Sequence, residues 1–256
     1  MKILTLDIET SPNLAHVWAA YKQNVSSKQM LRDTTILSYA GKFLDSKKMY
    51  YEDCRKNDEV TLLGSLNELL DEADMIVGHN ITGFDMPKIR GRSLVHSLSP
   101  PSPYKEVDTL RTARKEFGFS INTLEHVAKM LGCSAQKSSH KEFPGHELWL
   151  GCEAGNIKAW NEMKKYNIQD VYVTEEVYLR MRPYMRQHPN VGVFHLNEDP
   201  TCPKCGSSNL QKRGTARTNT QDYQRYQCQE CGGWARGRYT TRDKTLQHGV
   251  VVHDVG

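Results

Sequence analysis

Nowhere in these 256 residues does an apolar run approach the roughly 18 that a membrane span needs. No segment is low in complexity and no stretch repeats another, so fibrous, low-complexity and solenoid architectures are excluded. No signal peptide is expected either, because Asp7 and Glu9 interrupt the first apolar stretch before an h-region forms. A cytoplasmic protein with no membrane partner is expected, in a bacterium or in the cytosol of a virus's host. The cysteines do not form an even set. Seven are present, four of them in two Cys-x-x-Cys pairs, which without export signals points to metal and not to a disulfide framework. Cys54, Cys133 and Cys152 read as small apolar residues.

What is present is globular: 38% hydrophobic and 25% charged residues, with enough chain for one large domain and a small one. The formal net charge of +4 is uneven. Residues 201–256 hold nine Lys/Arg against four acids, which puts +5 there and leaves −1 on residues 1–200. A basic tail domain on a near-neutral body suits a polyanion partner.

Residues 1–9 read as a strand, and 36–44 and 47–53 as two more joined by a turn at Asp45-Ser46. Val60, Leu63, Leu66, Leu69 and Leu70 recur at helical spacing within 58–73, behind acids that suit a helix N-terminus. ADMIVGHN (73–80) is a short buried strand, and FDMPKIRGRS opens a helix that admits Pro87 only in its first turn. Helical segments follow near 109–117 and 122–132, then a polar loop over Ser134–Glu147. A long helix covers about 154–181 and stops before Pro183. Strands first, then strands alternating with helices, argue for the α/β class with a mixed sheet.

The first strand poses a problem. Its side chains alternate, so Asp7 and Glu9 project from one face, where unneutralised buried carboxylates are costly. Each acidic stretch has an ordinary reading by itself. Asp7 and Glu9 suit a solvated strand end, Asp85 a helix start, and Asn80 a turn. Tyr166 and Asp170, four apart on a helix, form a side-by-side pair common on helix surfaces. Their order along the chain carries the weight.

TLDIET (5–10), NITGFD (80–85) and YNIQD (166–170), with VDTL (107–110) after the second, resemble the DEDD superfamily of 3′–5′ exonucleases. The likeness is to the branch with a tyrosine in its third motif, and in particular to the proofreading domain of family B DNA polymerases. The sister branch would have a histidine five residues before the last acid, where Lys165 stands. The resemblance covers residues 1–185 and implies a ribonuclease-H-like mixed sheet flanked by helices.

Physical chemistry makes a matching demand. Two carboxylates about 4 Å apart repel by roughly 4 kcal/mol at an effective dielectric of ~20. Four can converge only around cations, and two divalent ions bring the site to neutrality. All-oxygen ligands favour Mg²⁺ or Mn²⁺. The resemblance implies that Asp7 bridges two such ions, that Glu9 and Asp170 complete one site, and that Asp85 supports the other. It also implies that Tyr166 orients the attacking water, while Thr10, Asn80 and Phe84 touch the substrate's 3′ end. Phe84 suits base stacking or a place in the core.

Twenty-two residues lie between Cys205 of the pair Cys202/Cys205 and Cys228 of the pair Cys228/Cys231, and Gly206 and Gly232 follow the two pairs. The spacing reads as a zinc ribbon whose one Zn²⁺ is structural, because four thiolates leave no open position. Lys212, Arg213, Arg217 and Arg225 lie among aromatics and suit nucleic-acid contact, with a replication or repair protein as the other partner for this module. HKEFPGH (140–146) reads as surface histidines in a polar loop.

The expected organisation is a nuclease domain over 1–185, a linker over 186–199, and a zinc ribbon with a basic tail over 200–256. The expected activity is metal-dependent release of nucleoside monophosphates from 3′ ends, with DNA ahead of RNA. An exoribonuclease is one alternative, and a nucleic-acid-binding adaptor on an exonuclease-like scaffold is another.

Overall fold

Alternation at the N-terminus makes a strand with two unlike faces. In the computed structural model, which describes residues 1–136, 142–194, 199–243, 245 and 249–252, this is β1 (Ile3–Thr10). Leu4, Leu6 and Ile8 point to one side, and Thr5, Asp7 and Glu9 to the other. A short antiparallel hairpin follows, β2 (Leu14–Ala15) and β3 (Met30–Arg32), too brief for periodicity to mark. β4 (Ile36–Phe43) runs antiparallel to β1 from Leu4↔Phe43 to Glu9↔Ser38, and β5 (Met49–Asp53) pairs with β4. Their turn falls on Leu44 and Asp45, one residue earlier than expected, closed by Ser46 N–H donating to Phe43 O at 2.9 Å.

β6 (Met75–Gly78) adds parallel to β1, and β7 (Lys105–Asp108) parallel to β6, giving the mixed order β5-β4-β1-β6-β7. The helices are α1 (Glu59–Glu72), α2 (Asp85–Val95), α3 (Thr109–Glu116), α4 (Leu124–Met130), α5 (Glu147–Glu153) and α6 (Ile157–Met181). Asp58 caps α1 by accepting from Thr61 N–H at 2.7 Å. Pro87 is the third residue of α2, where its missing N–H leaves no helical bond unmade.

The two faces of the sheet bury different things. Leu62, Leu63, Leu66 and Leu70 of α1 and Met86 and Ile89 of α2 pack with Leu4, Leu6, Ile8 and Ile76 in one core. Each such side chain contributes about 1.5–3 kcal/mol on full burial, which makes this layer the main stabiliser. On the other face, Leu148 and Cys152 of α5 join Leu37 and Trp160, Met163 and Tyr166 of α6. Lys42 of β4 reaches Glu175 of α6 at 2.7 Å, and Ser38 donates to Asn167 at 3.0 Å. The face that carries Asp7 and Glu9 is therefore the one covered by α6.

Two compact units result, Lys2–Tyr178 and Leu179–Gly256 together with Met1. The second holds a 3₁₀ turn at Val191–Phe194 and a three-stranded antiparallel sheet, β8 (Leu210–Arg217), β9 (Asp222–Cys228) and β10 (Trp234–Thr240), with β9 central. Residues 137–141 of the expected polar loop, His140 among them, lie outside the described residues, as do 195–198 of the expected linker. Among the described residues no helix is long and apolar enough to cross a membrane.

Candidate active site

Three of the four predicted acids converge. Carboxylate oxygens of Asp7 and Glu9 on β1 and of Asp170 on α6 all lie within 4.8 Å of one another. The strand supplies two of them two residues apart, and α6 brings the third across the same face. Asp170 is buried, with 4% of its surface exposed.

Asp85, the first residue of α2, is held beside them by the sheet itself. β6 pairs with β1 only as far as Thr5, so the Ile8 N–H lies beyond that ladder, and Asp85 Oδ1 accepts from it at 3.2 Å. The turn leading there is tightly built. Asn80 is in the left-handed region (φ 71°), and a Cβ on Gly78 would stand 2.6 Å from Ile81 Cδ1. Asp108 at the end of β7 organises the same turn, accepting from Asn80 N–H and Thr82 N–H at 3.1 Å each and from the Thr82 hydroxyl at 2.6 Å.

Electrostatics record the crowding. Burial pushes the Asp7 carboxyl well above the usual range, and the charges of Glu9, Asp85 and Asp170 push it further, while the Asn167 amide pulls it back. Asp85 is raised to about 7, chiefly by burial, against the Ile8 N–H bond that favours its charge. Three oxygen donors this close, with a fourth carboxylate alongside, fit hard divalent cations, which would remove the repulsion at its source.

Two residues that spacing did not flag hold this cluster in shape. Asn167 donates to Asp7 Oδ2 at 2.6 Å and to Asp7 O at 3.1 Å while accepting from Ser38. Trp149 of α5 donates from Nε1 to Glu9 Oε2 at 2.9 Å and meets the Tyr166 ring edge-on, with centroids 5.9 Å apart. Tyr166 sits one helical turn before Asp170 and is buried. Of the predicted contacts for a 3′ end, Phe84 is 39% exposed just ahead of α2, so it is not a core residue. Thr10 at the end of β1 and Asn80 are half-buried. A cleft of about 420 Å³ opens over Asp7 and Asp170 and is rimmed by His79, Asn80, Arg114 and Asn122.

In the smaller unit the four cysteines form a second cluster. Cys202 and Cys231 sulfurs are 3.7 Å apart and those of Cys205 and Cys228 are 3.6 Å apart. Zn–S bonds of about 2.3 Å in a tetrahedron require S···S edges near 3.8 Å, which these two edges approach, and all four sulfurs lie within 4.8 Å of one another. Gly206 and Gly232, the residues that follow each pair, have φ of 78° and 76°. The basic residues predicted on this unit divide between its faces. Arg213 and Arg225 share one, whereas Lys212 lies opposite Tyr226 on the other, and so does Arg217, which pairs with Asp222 at 3.3 Å.

Residues 32–182, more than half of the chain, match the family RNase_H_2 of the RNase_H superfamily. Among solved structures the chain is similar to the family B DNA polymerase from the hyperthermophilic archaeon Pyrobaculum calidifontis, with a TM-score of 0.52 and 17% identity over 72% of this chain. The match takes in 25% of the polymerase, so this chain spans about a quarter of its length, and at that identity the likeness is one of fold. No curated protein matches the sequence. A mixed five-stranded sheet flanked by helices is the ribonuclease-H-like architecture that the motifs imply, and the chain belongs to the RNase H superfamily.

Proposed function

We propose that this protein is a 3′–5′ exonuclease of the DEDD type with a tyrosine in its third motif, releasing nucleoside monophosphates by hydrolysis. The observation that carries the reading is the meeting of Asp7, Glu9 and Asp170 oxygens within 4.8 Å, on the strand and helix where the motifs require them. Asp7, Glu9 and Asp170 would hold two Mg²⁺ or Mn²⁺ ions, with Asp85 in support. Such ions, when bound, neutralise the carboxylates and polarise a phosphodiester for in-line attack.

The chain's own groups do the positioning. Asn167 fixes the Asp7 carboxylate and Trp149 fixes that of Glu9, so neither acid must be ordered when substrate arrives. The Tyr166 hydroxyl orients the attacking water and helps take its proton. Phe84 offers an exposed ring to the terminal base, and Thr10 and Asn80 offer polar contacts to its sugar. DNA is preferred over RNA on the likeness to a DNA polymerase.

The domain assignment is 1–185 for the nuclease, 186–199 for a linker, and 200–256 for a ribbon with one structural Zn²⁺. It is supported by α6 running unbroken to Met181 and by the cysteine cage.

The test is a cleavage assay on 5′-labelled single-stranded DNA and RNA of one sequence, with Mg²⁺, Mn²⁺ or chelator. Wild type should give a metal-dependent ladder shortening from the 3′ end, and Asp7→Ala and Asp170→Ala should give none while keeping the fold. Faster RNA shortening would make the enzyme an exoribonuclease. Turnover by either variant would sink the site, and binding without cleavage by wild type would leave an adaptor.

A further inference from the structure

The strand register of the zinc-ribbon unit puts three arginines in one row across its sheet. Arg236 of β10 stands opposite Arg225 of β9. On β8 the register skips from Lys212↔Tyr226 to Thr215↔Gln224, so Arg213 and Gly214 share the place opposite Arg225. With strands about 4.8 Å apart the row is ~10 Å long. Like charges directly opposite one another destabilise a sheet. Among the described residues of these strands, no acid on this face neutralises them. The one acid in these strands, Asp222, lies on the other side with Arg217, and among the described residues none of the three arginines has an ion pair.

Aromatic groups flank the row. The Arg236 guanidinium lies 3.9 Å from the centroid of the Tyr223 ring. On the next row Trp234 stands opposite Gln227 with 52% of its surface exposed. Arg225, Trp234, Arg236 and Ala216 line a cavity of about 420 Å³.

We propose that this face binds single-stranded nucleic acid, with phosphates along Arg213, Arg225 and Arg236 and a base stacked on Trp234. Charge complementarity selects a polyanion, and the exposed indole selects one with open base faces, which a duplex keeps stacked. The opposite face, with Lys212 and Arg217, takes no part. Binding here depends on the ribbon's sheet and is independent of the catalytic reading.

The experiment uses the full chain carrying Asp7→Ala, so that any nuclease activity is silenced, and follows the anisotropy of fluorescein-labelled dT10 and rU10 against salt. Replacing all three arginines by glutamine should lower the slope of log K against log salt by about 2, at ~0.7 for each phosphate no longer neutralised. Trp234→Ala should weaken binding about tenfold with the slope unchanged, and Trp234→Phe should restore most of it. One zinc per chain in every variant shows that the ribbon is folded; where the triple variant loses it, the three single Arg→Gln variants are read instead. The dT10 and rU10 arms tell DNA from RNA. Unchanged affinity and slope in the variants would overturn the proposal, as would a deca-glutamate peptide that displaces dT10 at equal concentration, since the face would then take an acidic protein segment.

Discussion

Asn167 Nδ2 donates to Asp7 Oδ2 at 2.6 Å, and the same side chain accepts from Ser38 Oγ at 3.0 Å. One fully buried amide thus joins α6, β1 and β4 at the acid cluster. Asn167→Leu removes these two bonds and the one to Asp7 O, and leaves the Ser38 hydroxyl without that acceptor, which costs about 1–3 kcal/mol. The expected outcome is a melting temperature several degrees lower, together with divalent-ion affinity reduced about 10- to 100-fold. Thermal melts and a Mn²⁺ titration on one preparation measure both.

Trp149 separates support of an acid from packing. Trp149→Phe keeps a ring against Tyr166 but deletes the donor to Glu9. Metal affinity should fall about 10- to 100-fold while the melting temperature barely moves. A large loss of stability with unchanged metal affinity would show that the indole only packs.

The acids also set a pH dependence for the metal-free protein. Asp85 is raised to about 7 and Asp7 lies well above the usual range, whereas an unfolded aspartate titrates near 3.9. Between about pH 4 and 7 the folded state keeps protons that the unfolded state has released, so stability falls as pH rises through that window. Bound divalent ions require the ionised carboxylates and reverse the trend. Melting curves in chelator should drop from pH 5 to pH 8, and added Mg²⁺ should raise the melting temperature more at pH 8 than at pH 5. An equal rise at both values would contradict the reading.

Removing the thiolates should unmake one unit and spare the other. Cys202→Ser with Cys205→Ser leaves two of four ligands, and in a sheet this small metal binding supplies much of the folding energy. Wild type should release one zinc per chain on mercurial titration and the double variant none. Limited proteolysis should then clip the variant within 199–243 and leave 2–178 resistant.

Much of the acid cluster is legible in the sequence. Alternation in ILTLDIET placed Asp7 and Glu9 on one face, and the helical spacing of Tyr166 and Asp170 put them side by side. The supporting contacts were not readable, because they join residues remote in sequence. Trp149 lies 140 positions from Glu9 on a seven-residue helix whose pattern is too short to register. Asn167 sat inside YNIQD as an intervening letter, although its buried amide touches Asp7 directly. Phe84 suited the core or the surface on composition alone, and only the turn from Gly78 to Asp85 decides that it faces solvent. On the ribbon, counting cations located a basic module but did not assign faces. A bulge between Lys212 and Thr215 resets the alternation there.

The acid cluster is drawn from both ends of a long stretch of chain. Asp7 and Asp170 are 163 positions apart, and at a synthesis rate of about 5–20 residues per second the second follows the first by roughly 8–30 s. On the proposed reading, the nascent polypeptide lacks through that interval a carboxylate that the site needs, so it would emerge from the ribosome with no means to cut nucleic acid. On that reading, the site is complete only when α6 lies against the sheet and brings Asp170 to Asp7 and Glu9. If the proposed site is the active one, a chain broken anywhere before that helix would be a silent by-product, not a stray nuclease.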